Sequence, residues 1–553
     1  MQYLFPIFRK VRRSIRIFHP GNENTPPLPF AFMICSHSRA IMIPHQRNLT
    51  SENLQGDFII AKKRLTALLL CMLLVSGNLL SCSETGNDNT DTSADTSAPT
   101  ADTEIAVPDE TVPEEPARPK AEDTLTIKNF EGRDYRMIST NQDNRHVDIL
   151  AEEMTGATLN DLVFLRNEKA AELYNVKMHA EQMDFGQINS MIQADTAAGD
   201  MSYELYLTNF TAHSLGTSGH LYNLKDLPGL DLKQEWWDQK EVEDMTIHGN
   251  LFLAIGDISP TELLTSECLL FNKNLFDKNN IAYPYEDAIN GTWTLDKFIG
   301  ISDGLTTDLN GDGQFLVDDD LFSLTCWNDY GTALLYGAGG DFSSFDEDGN
   351  ICMTLDQEKA INIYNKIFAA VIGTGANYET AQHERSFRVF EEGRAYFCGI
   401  TFQKIETFLR EMEDDFGVLP NPKYDEAQEK YSTCVSGAGS MVVVPKSCSD
   451  PEYVGTMMEA MAALSYDMIT PDLIDVLASV KNVRDKESSE IVQMIIRNRN
   501  FDTARMHDIT IDQYVATLIP QKSTDVASHF ARNQKIWNKT IQKLNREYLE
   551  NNE

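Results

Sequence analysis

The sequence predicts an α/β fold built in more than one lobe, and three observations predict it. From Leu125 onward, short apolar runs suited to buried strands alternate with segments of helical period, the signature of parallel sheets covered by helices. The chain has 553 residues, more than one lobe needs, with ample length for large cores. The stretch Gly249 to Phe298 contains an apolar run, a polar interruption, a second apolar run and a helix start, which is one α/β unit inside a larger sheet.

The elements follow in chain order. Residues 1–58 are basic, with Arg9, Lys10, Arg12, Arg13 and Arg16 but no apolar period, so they are expected to be unstructured or to precede the true start. Lys62, Lys63 and Arg64 precede an apolar run from Leu65 to Leu80, the charged and apolar regions of a secretory signal over 59–81. It ends in Leu79, Leu80, Ser81 and Cys82, which resembles a bacterial lipobox, with the Cys82 thiol as the nucleophile that accepts the lipid. The other reading is an ordinary transmembrane helix, for which the run is short. Residues 82–124 are rich in Thr, Ser, Asp, Glu and Pro, too polar to bury a core, and predict a disordered acidic tether reaching about 35 Å or more.

Beyond the tether, Leu125, Ile127 and Tyr135–Ile138 predict strands, Thr158 with Asp161 caps a helix through Leu173, and Val176–Met178 continues as a strand. Gly186–Ala198 predicts a helix and Glu204–Leu207 a buried strand ending at Thr208, Asn209 and Phe210. Leu251–Ile255 and Cys268–Phe271 read as strands joined by a polar loop of Asp257, Ser259, Pro260, Thr261 and Glu262. Asn272–Asn280 reads as a short helix, and Thr294 caps the next. Asp346, Asp348 and Gly349 make a hairpin turn, and Asp356 caps a helix over Lys359–Val371 with Ala360, Ile363, Ile367 and Ala370 as its core stripe. Val526, Phe530, Trp537, Ile541, Leu544 and Tyr548 recur at helical spacing and predict a long amphipathic last helix.

Several of these pieces carry a resemblance. They are Phe271, Asn272 and Lys273 with Leu275 and Phe276, then Thr292, Trp293 and Thr294; Leu159, Asn160, Asp161, Arg166 and Asn167; Gly393 to Phe397 with Gly399, Thr401 and Phe402; and Arg484–Asp502. In this order they resemble the family 1 extracellular solute-binding proteins, the group that includes maltose-binding protein, over residues 125–553. The resemblance implies a periplasmic-binding-protein type 2 fold, with two α/β lobes, 125–260 plus 435–500 and 261–434 plus 501–553, joined by a hinge. The crossing segments would be Ile255–Cys268 and Ser432–Val442. It implies an interlobe cleft with ligand groups at strand ends: Asn141, Asn209, Glu262, Trp327, Tyr330, Thr401, Phe402 and Ser436. There aromatics would stack on sugar faces, while amides and the acid would take hydroxyls. It also implies a lipid-anchored monomer on the outer face of the cytoplasmic membrane that captures a solute, foremost a carbohydrate, and delivers it to separate ABC permease and ATPase subunits.

One motif points to a metal. Asp308, Asn310, Asp312, Gly313 and Asp319 place oxygen side chains at loop positions 1, 3, 5 and 12 with Gly at 6, and the Gln314 carbonyl supplies position 7. This resembles EF-hand and dockerin loops and predicts a structural Ca²⁺ or, failing occupancy, an acidic turn. The formal charge of −37 argues against nucleic acid and against electrostatic binding to anionic lipid, since both would be repelled, and is also the acidic surplus that many secreted proteins carry for solubility. Cys268, Cys326, Cys352, Cys398, Cys434 and Cys448 form no C-x-x-C pair and read as buried thiols, with disulfides still allowed outside a cell. No H-E-x-x-H, G-x-S-x-G or phosphate loop is present. Two functions therefore compete, a non-enzymatic binding protein and an extracellular glycoside hydrolase or lyase, and the second would need two acids fixed in the cleft.

Overall fold

A computed structural model describes residues 120–437, 439–479 and 486–550. Cys82, the signal segment and nearly all of the tether lie outside the described residues. In chain order the strands are β1 (Arg133–Thr140), β2 (Val176–Met183), β3 (Leu205–Thr208), β4 (Glu267–Asn272), β5 (Phe322–Trp327), β6 (Ser343–Phe345) and β7 (Ile351–Met353). They continue with β8 (Asn377–Glu379), β9 (Ala395–Thr401), β10 (Phe416–Leu419), β11 (Thr433–Cys434), β12 (Met441–Val443) and β13 (Arg499–Asn500).

The first lobe is built on the sheet β12-β3-β1-β2, in which β1 runs parallel to β2 and β3 and β12 is antiparallel to β3. Tyr135, Met137, Ile138 and all of β3 are buried, which is why these strands read as continuous apolar runs. Helices Thr158–Tyr174 and Pro451–Met468 pack together on this lobe. The second lobe is built on β10-β4-β9-β5-β8, where β5 is parallel to β8 and β9 while β4 is antiparallel to β9 and β10.

The two predicted crossings pair with each other. Ala254 and Val442 exchange backbone hydrogen bonds of 3.2 and 3.0 Å, and the Ser436 amide donates to the Thr265 carbonyl at 3.1 Å. Leu251–Ile255 is buried and extended but makes only the bridge at Ala254, not a strand. The expected polar loop is a 3-10 helix, Pro260–Thr265, with every side chain buried. A third crossing accompanies these two, because β13 pairs parallel with β11.

The lobe boundaries differ from expectation in three places. Helix Lys486–Arg497, expected in the first lobe, packs on β10 and on helix Tyr285–Ile289, with Ser488 within 2.9 Å of the Tyr285 hydroxyl. Its apolar face fits the second sheet's flank. The last helix, Val526–Glu550, touches both lobes: Asn545 pairs with the Ile351 backbone, and Tyr548 stacks on Phe252 at 5.4 Å. Order begins before Leu125, since Ala121–Thr124 forms a 3-10 turn in which Ala121 is buried and Lys169 pairs with Glu122.

Candidate functional site

The sheet register assembles the site. β4 opposes β9 so that Glu267 faces Thr401, and β5 runs beside β9 with Cys326 against Gly399. The start of β4 and the ends of β5 and β9 therefore meet at one edge, bringing Glu267, Trp327 and Thr401 together. Gly399 lets the strand approach its neighbour, because a Cβ there would lie 2.3 Å from the Tyr330 ring.

A cavity of about 270 Å³ opens at this edge, lined among others by Glu267, Trp327, Asp329, Tyr330, Thr401 and Ser436. A second, of about 500 Å³, shares Asp329 and Ser436 with it and adds Phe210, Thr332, Arg505 and Asp512. Together they lie where the crossings meet both lobes, with Phe210 from the first lobe facing second-lobe residues. Of the expected ligand residues, Trp327, Tyr330, Thr401 and Ser436 come together here. Trp327 is only partly buried and lines the cavity beside Asp329. Tyr330 lines the cavity but is only 2 % exposed, its ring against Gly399 and its hydroxyl donating to Asn421 Oδ1 at 2.8 Å, so it offers no free hydroxyl.

The other four lie elsewhere. Phe402 is 1 % exposed and belongs to the core rather than the cleft. Asn209 is buried and spends its oxygen on the Thr211 amide and hydroxyl. Asn141 is exposed, its amide bonded to the Met183 carbonyl, and it is not among the residues lining these cavities. Glu262 is 1 % exposed inside the hinge, where its carboxylate bonds Thr265 and lies against Gly439. Burial holds its carboxyl up at about 7 against the pull of Arg145 and Arg499.

The sequence did not flag the charged residues of the cleft. Five carboxylates, Asp143, Glu267, Asp329, Asp508 and Asp512, share the lining with the bases Lys404 and Arg505. Lys404 pairs with Asp143 at 3.1 Å and Arg505 with Asp512 at 2.6 Å. Burial first, then Asp329, push the Glu267 carboxyl up to about 8, while Arg505 and Lys404 pull it down. The only signal available would have been Glu267 at a strand start and Asp329 just past a strand end.

The lobes also touch across the cleft. The first-lobe segment Gln142–Asp148 reaches over with Asp143 and Asn144 in left-handed backbone at φ 49° and 63°. Gln403 donates to the Asp143 carbonyl, and Arg145 reaches Gln403 at 3.3 Å and the Thr261 carbonyl at 2.6 Å. Asp148, buried, grips the hinge by accepting from the Thr261 amide and hydroxyl, both at 2.8 Å.

In the acidic loop, the Asp308 carboxylate accepts from the Gly311 and Gly313 amides at 2.6 and 2.7 Å, which holds it below the usual carboxylate range. Buried Asp320, rather than exposed Asp319, ties the loop's ends by accepting from the Leu309 and Leu316 amides. Among the described residues, no group of three or more His, Cys, Asp or Glu is arranged to hold a metal ion. The six described cysteines are free thiols.

No protein-family profile and no curated protein matches the chain. Solved structures do match. A cyclo/maltodextrin-binding protein complexed with maltotetraose superposes with a TM-score of 0.51 at 13 % identity, covering 74 % of this chain and 98 % of that one. The galacto-N-biose/lacto-N-biose I-binding protein of an ABC transporter from Bifidobacterium longum, in complex with lacto-N-biose, gives 0.51 at 12 % identity over 75 % and 98 %. An ABC substrate-binding protein from Listeria monocytogenes, in complex with cycloalternan, gives 0.50 at 12 % over 74 % and 99 %. The described chain thus has the type 2 periplasmic-binding-protein fold, two α/β lobes joined by crossing segments.

Proposed function

We propose that this chain is the substrate-binding protein of an ABC importer, capturing a carbohydrate between its lobes, in the manner of the family 1 solute-binding proteins. The observation that carries the reading is the cavity where both crossings meet, with Trp327 and the Tyr330 ring beside hydroxyl and carboxylate groups, a mixture suited to the faces and rims of a sugar. Closure of the lobes over the solute is supported by the bonds that Asp143 and Arg145 already make to Gln403 and Lys404. Among the described residues no helix is long and apolar enough to cross a membrane; in this reading separate permease and ATPase subunits move the solute inward. Lipid on Cys82 would hold the protein at the outer membrane face, and the sequence of its lipobox supports this.

Calorimetric titration of the purified 120–553 domain with a saccharide panel tests the reading. Binding of at least one saccharide is expected, and a response only to peptides or amino acids would reject it. Glu267 and Asp329 are two acids in the cleft, which is what the hydrolase reading requires. Both stand on the second-lobe wall, however, rather than on opposite sides of the cavity, which favours binding over bond cleavage. Release of reducing sugar from the bound saccharide would restore the enzyme. For the loop Asp308–Asp319, we propose a structural Ca²⁺ on the spacing of its oxygens: chelation is expected to lower the melting temperature, and Asp312→Ala to remove the difference.

A further inference from the structure

The two cavities of the cleft are built by different parts of the chain and differ in chemistry. Trp327, Asn328 and Asp329 run off the end of β5 and divide the space: Trp327 lines the smaller cavity, Asn328 the larger, and Asp329 with Ser436 borders both. The smaller, about 270 Å³, is faced with Trp327, Tyr330, His383 and Phe387. The larger, about 500 Å³, draws most of its lining from one stretch, residues 505–517, which reaches the cleft only after the third crossing at β13. That lining is polar: Arg505 pairs with Asp512 at 2.6 Å, and Gln513 and Thr517 are exposed. Phe210 adds aromatic surface from the first lobe.

The stretch is held as a wall. Just before it, the Asp502 carboxylate accepts from the Phe342 and Ser343 amides at 2.7 and 3.0 Å. In helix Gln513–Leu518, Tyr514 is buried edge-on to Phe342. Val515 lies so close to helix Tyr330–Gly337 that a Cβ on Gly331 would come within 2.8 Å of it. The space that this wall bounds is therefore preformed. The smaller cavity falls below the roughly 300 Å³ at which small-molecule sites begin and suits one sugar ring, while the larger, nearly twice its volume, suits about two. We propose that residues 505–517 set the length of the ligand: the cleft takes an oligosaccharide of about three units, one ring against Trp327 and the others along Arg505, Asp512, Gln513 and Thr517. This rests on the carbohydrate reading above and adds the size of the ligand. Ring hydroxyls donate to the Asp512 carboxylate and accept from the Arg505 guanidinium and the Gln513 amide.

The experiment is calorimetric titration of the purified protein with gluco-, galacto- and manno-oligosaccharides of one to about five units. In the series that binds, the trisaccharide is expected to bind at least about tenfold tighter than the monosaccharide, and further units to add less than about threefold. Thr517→Trp fills the larger cavity from an exposed position and is expected to bring the trisaccharide-to-monosaccharide affinity ratio below about threefold. Gln513→Ala, also at an exposed position, is expected to lower the same ratio by a smaller factor. Trp327→Ala is expected to weaken every length alike, since all of them use the smaller cavity. Melting curves confirm that each variant is folded. A monosaccharide binding as tightly as the trisaccharide, or folded Thr517→Trp and Gln513→Ala variants that both keep the full ratio, would overturn the proposal and leave the carbohydrate reading standing. No binding by a saccharide of any length would overturn both.

Discussion

Glu262 and Glu267 sit five residues apart on the same crossing segment, and the structure uses them in opposite ways. Glu262 is enclosed on every side by the hinge: Gly439 leaves it room, Thr265 bonds it, and Arg145 and Arg499 attract it. Glu267 opens β4 at the sheet edge and looks into the cavity. Both carboxyls are pushed up by burial, so neither charge alone reveals the role. Whether the surrounding wall is closed or open decides it. A titrating group in a sealed wall governs stability, and one in an open wall governs what enters.

The largest expected effect tests that division with two aromatics. Phe402, sealed, is expected to cost about 3–5 kcal/mol of stability when replaced by Ala. Trp327, partly exposed in the cleft, is expected to cost much less stability but to weaken saccharide binding by about tenfold or more. Urea melts and titration of both variants separate the two outcomes. A binding loss in Phe402→Ala with unchanged stability would return that residue to the cleft.

The sequence made the fold legible wherever the signal was local. Asn272, Thr294 and Asp356 each accept from the amide three residues on, as N-caps do, and all six apolar positions of the last helix are buried. The two crossings were legible as segments because their apolar runs are continuous. The site was less legible because its determinants are far apart in the chain. Thr261 and Glu262 read as a polar loop, yet Thr261 is buried because Asp148, 113 residues earlier, bonds it. Arg505 and Asp512 enter the cleft only because the chain crosses a third time at β13. Phe402 and Trp327 are both aromatics at strand ends, and no local pattern says which one faces inward.

Acidity gives the next effect. The Glu262 carboxyl moves from its ordinary 4.5 to about 7 on folding, so between these values the folded state holds a proton that the unfolded state has lost. Stability contributed by this group is therefore fully present below about pH 4.5 and is lost as pH rises through 7, a change on the order of 3 kcal/mol. Glu459, also buried and pushed up to about 7, adds in the same direction. Glu262→Gln is expected to flatten the part of the stability curve between pH 5 and 8 that this group supplies. Glu267, pushed up to about 8, adds in the same direction, so Glu267→Gln is also expected to flatten the curve and differs from Glu262→Gln by weakening ligand binding as well; an equal loss of binding in both variants would erase the contrast between sealed and open walls.

Gly439→Ala tests how tightly the sealed side is packed. Its Cβ would lie 1.7 Å from Glu262 Oε2 and 2.3 Å from Cδ, and Glu262 is 1 % exposed, so the whole carboxylate has to shift within a sealed wall. A loss of about 1–3 kcal/mol is expected in urea melts, with saccharide affinity reduced only in proportion to hinge distortion. Combining it with Glu262→Ala should recover most of the loss, since the clash and its partner disappear together. A fully additive double variant would place the strain elsewhere in the crossing.

The smallest effect belongs to the open side. Lys404 and Asp143 join the lobes at 3.1 Å, but their side chains are 23 % and 33 % exposed, so water and salt screen the pair. It is worth about 1 kcal/mol or less, and Lys404→Ala is expected to weaken saccharide binding by no more than about fivefold at low salt. The bonds from Gln403 to the Asp143 carbonyl and from Arg145 to Gln403 remain, so closure itself survives. Raising ionic strength to about 0.5 M should bring wild type and variant together, because the screening length falls to a few ångströms. A fivefold difference that persisted at high salt would mean that Lys404 acts through direct contact with the ligand and not by drawing the lobes shut. Its place in the site would then be beside Glu267, as part of the wall that reads the solute.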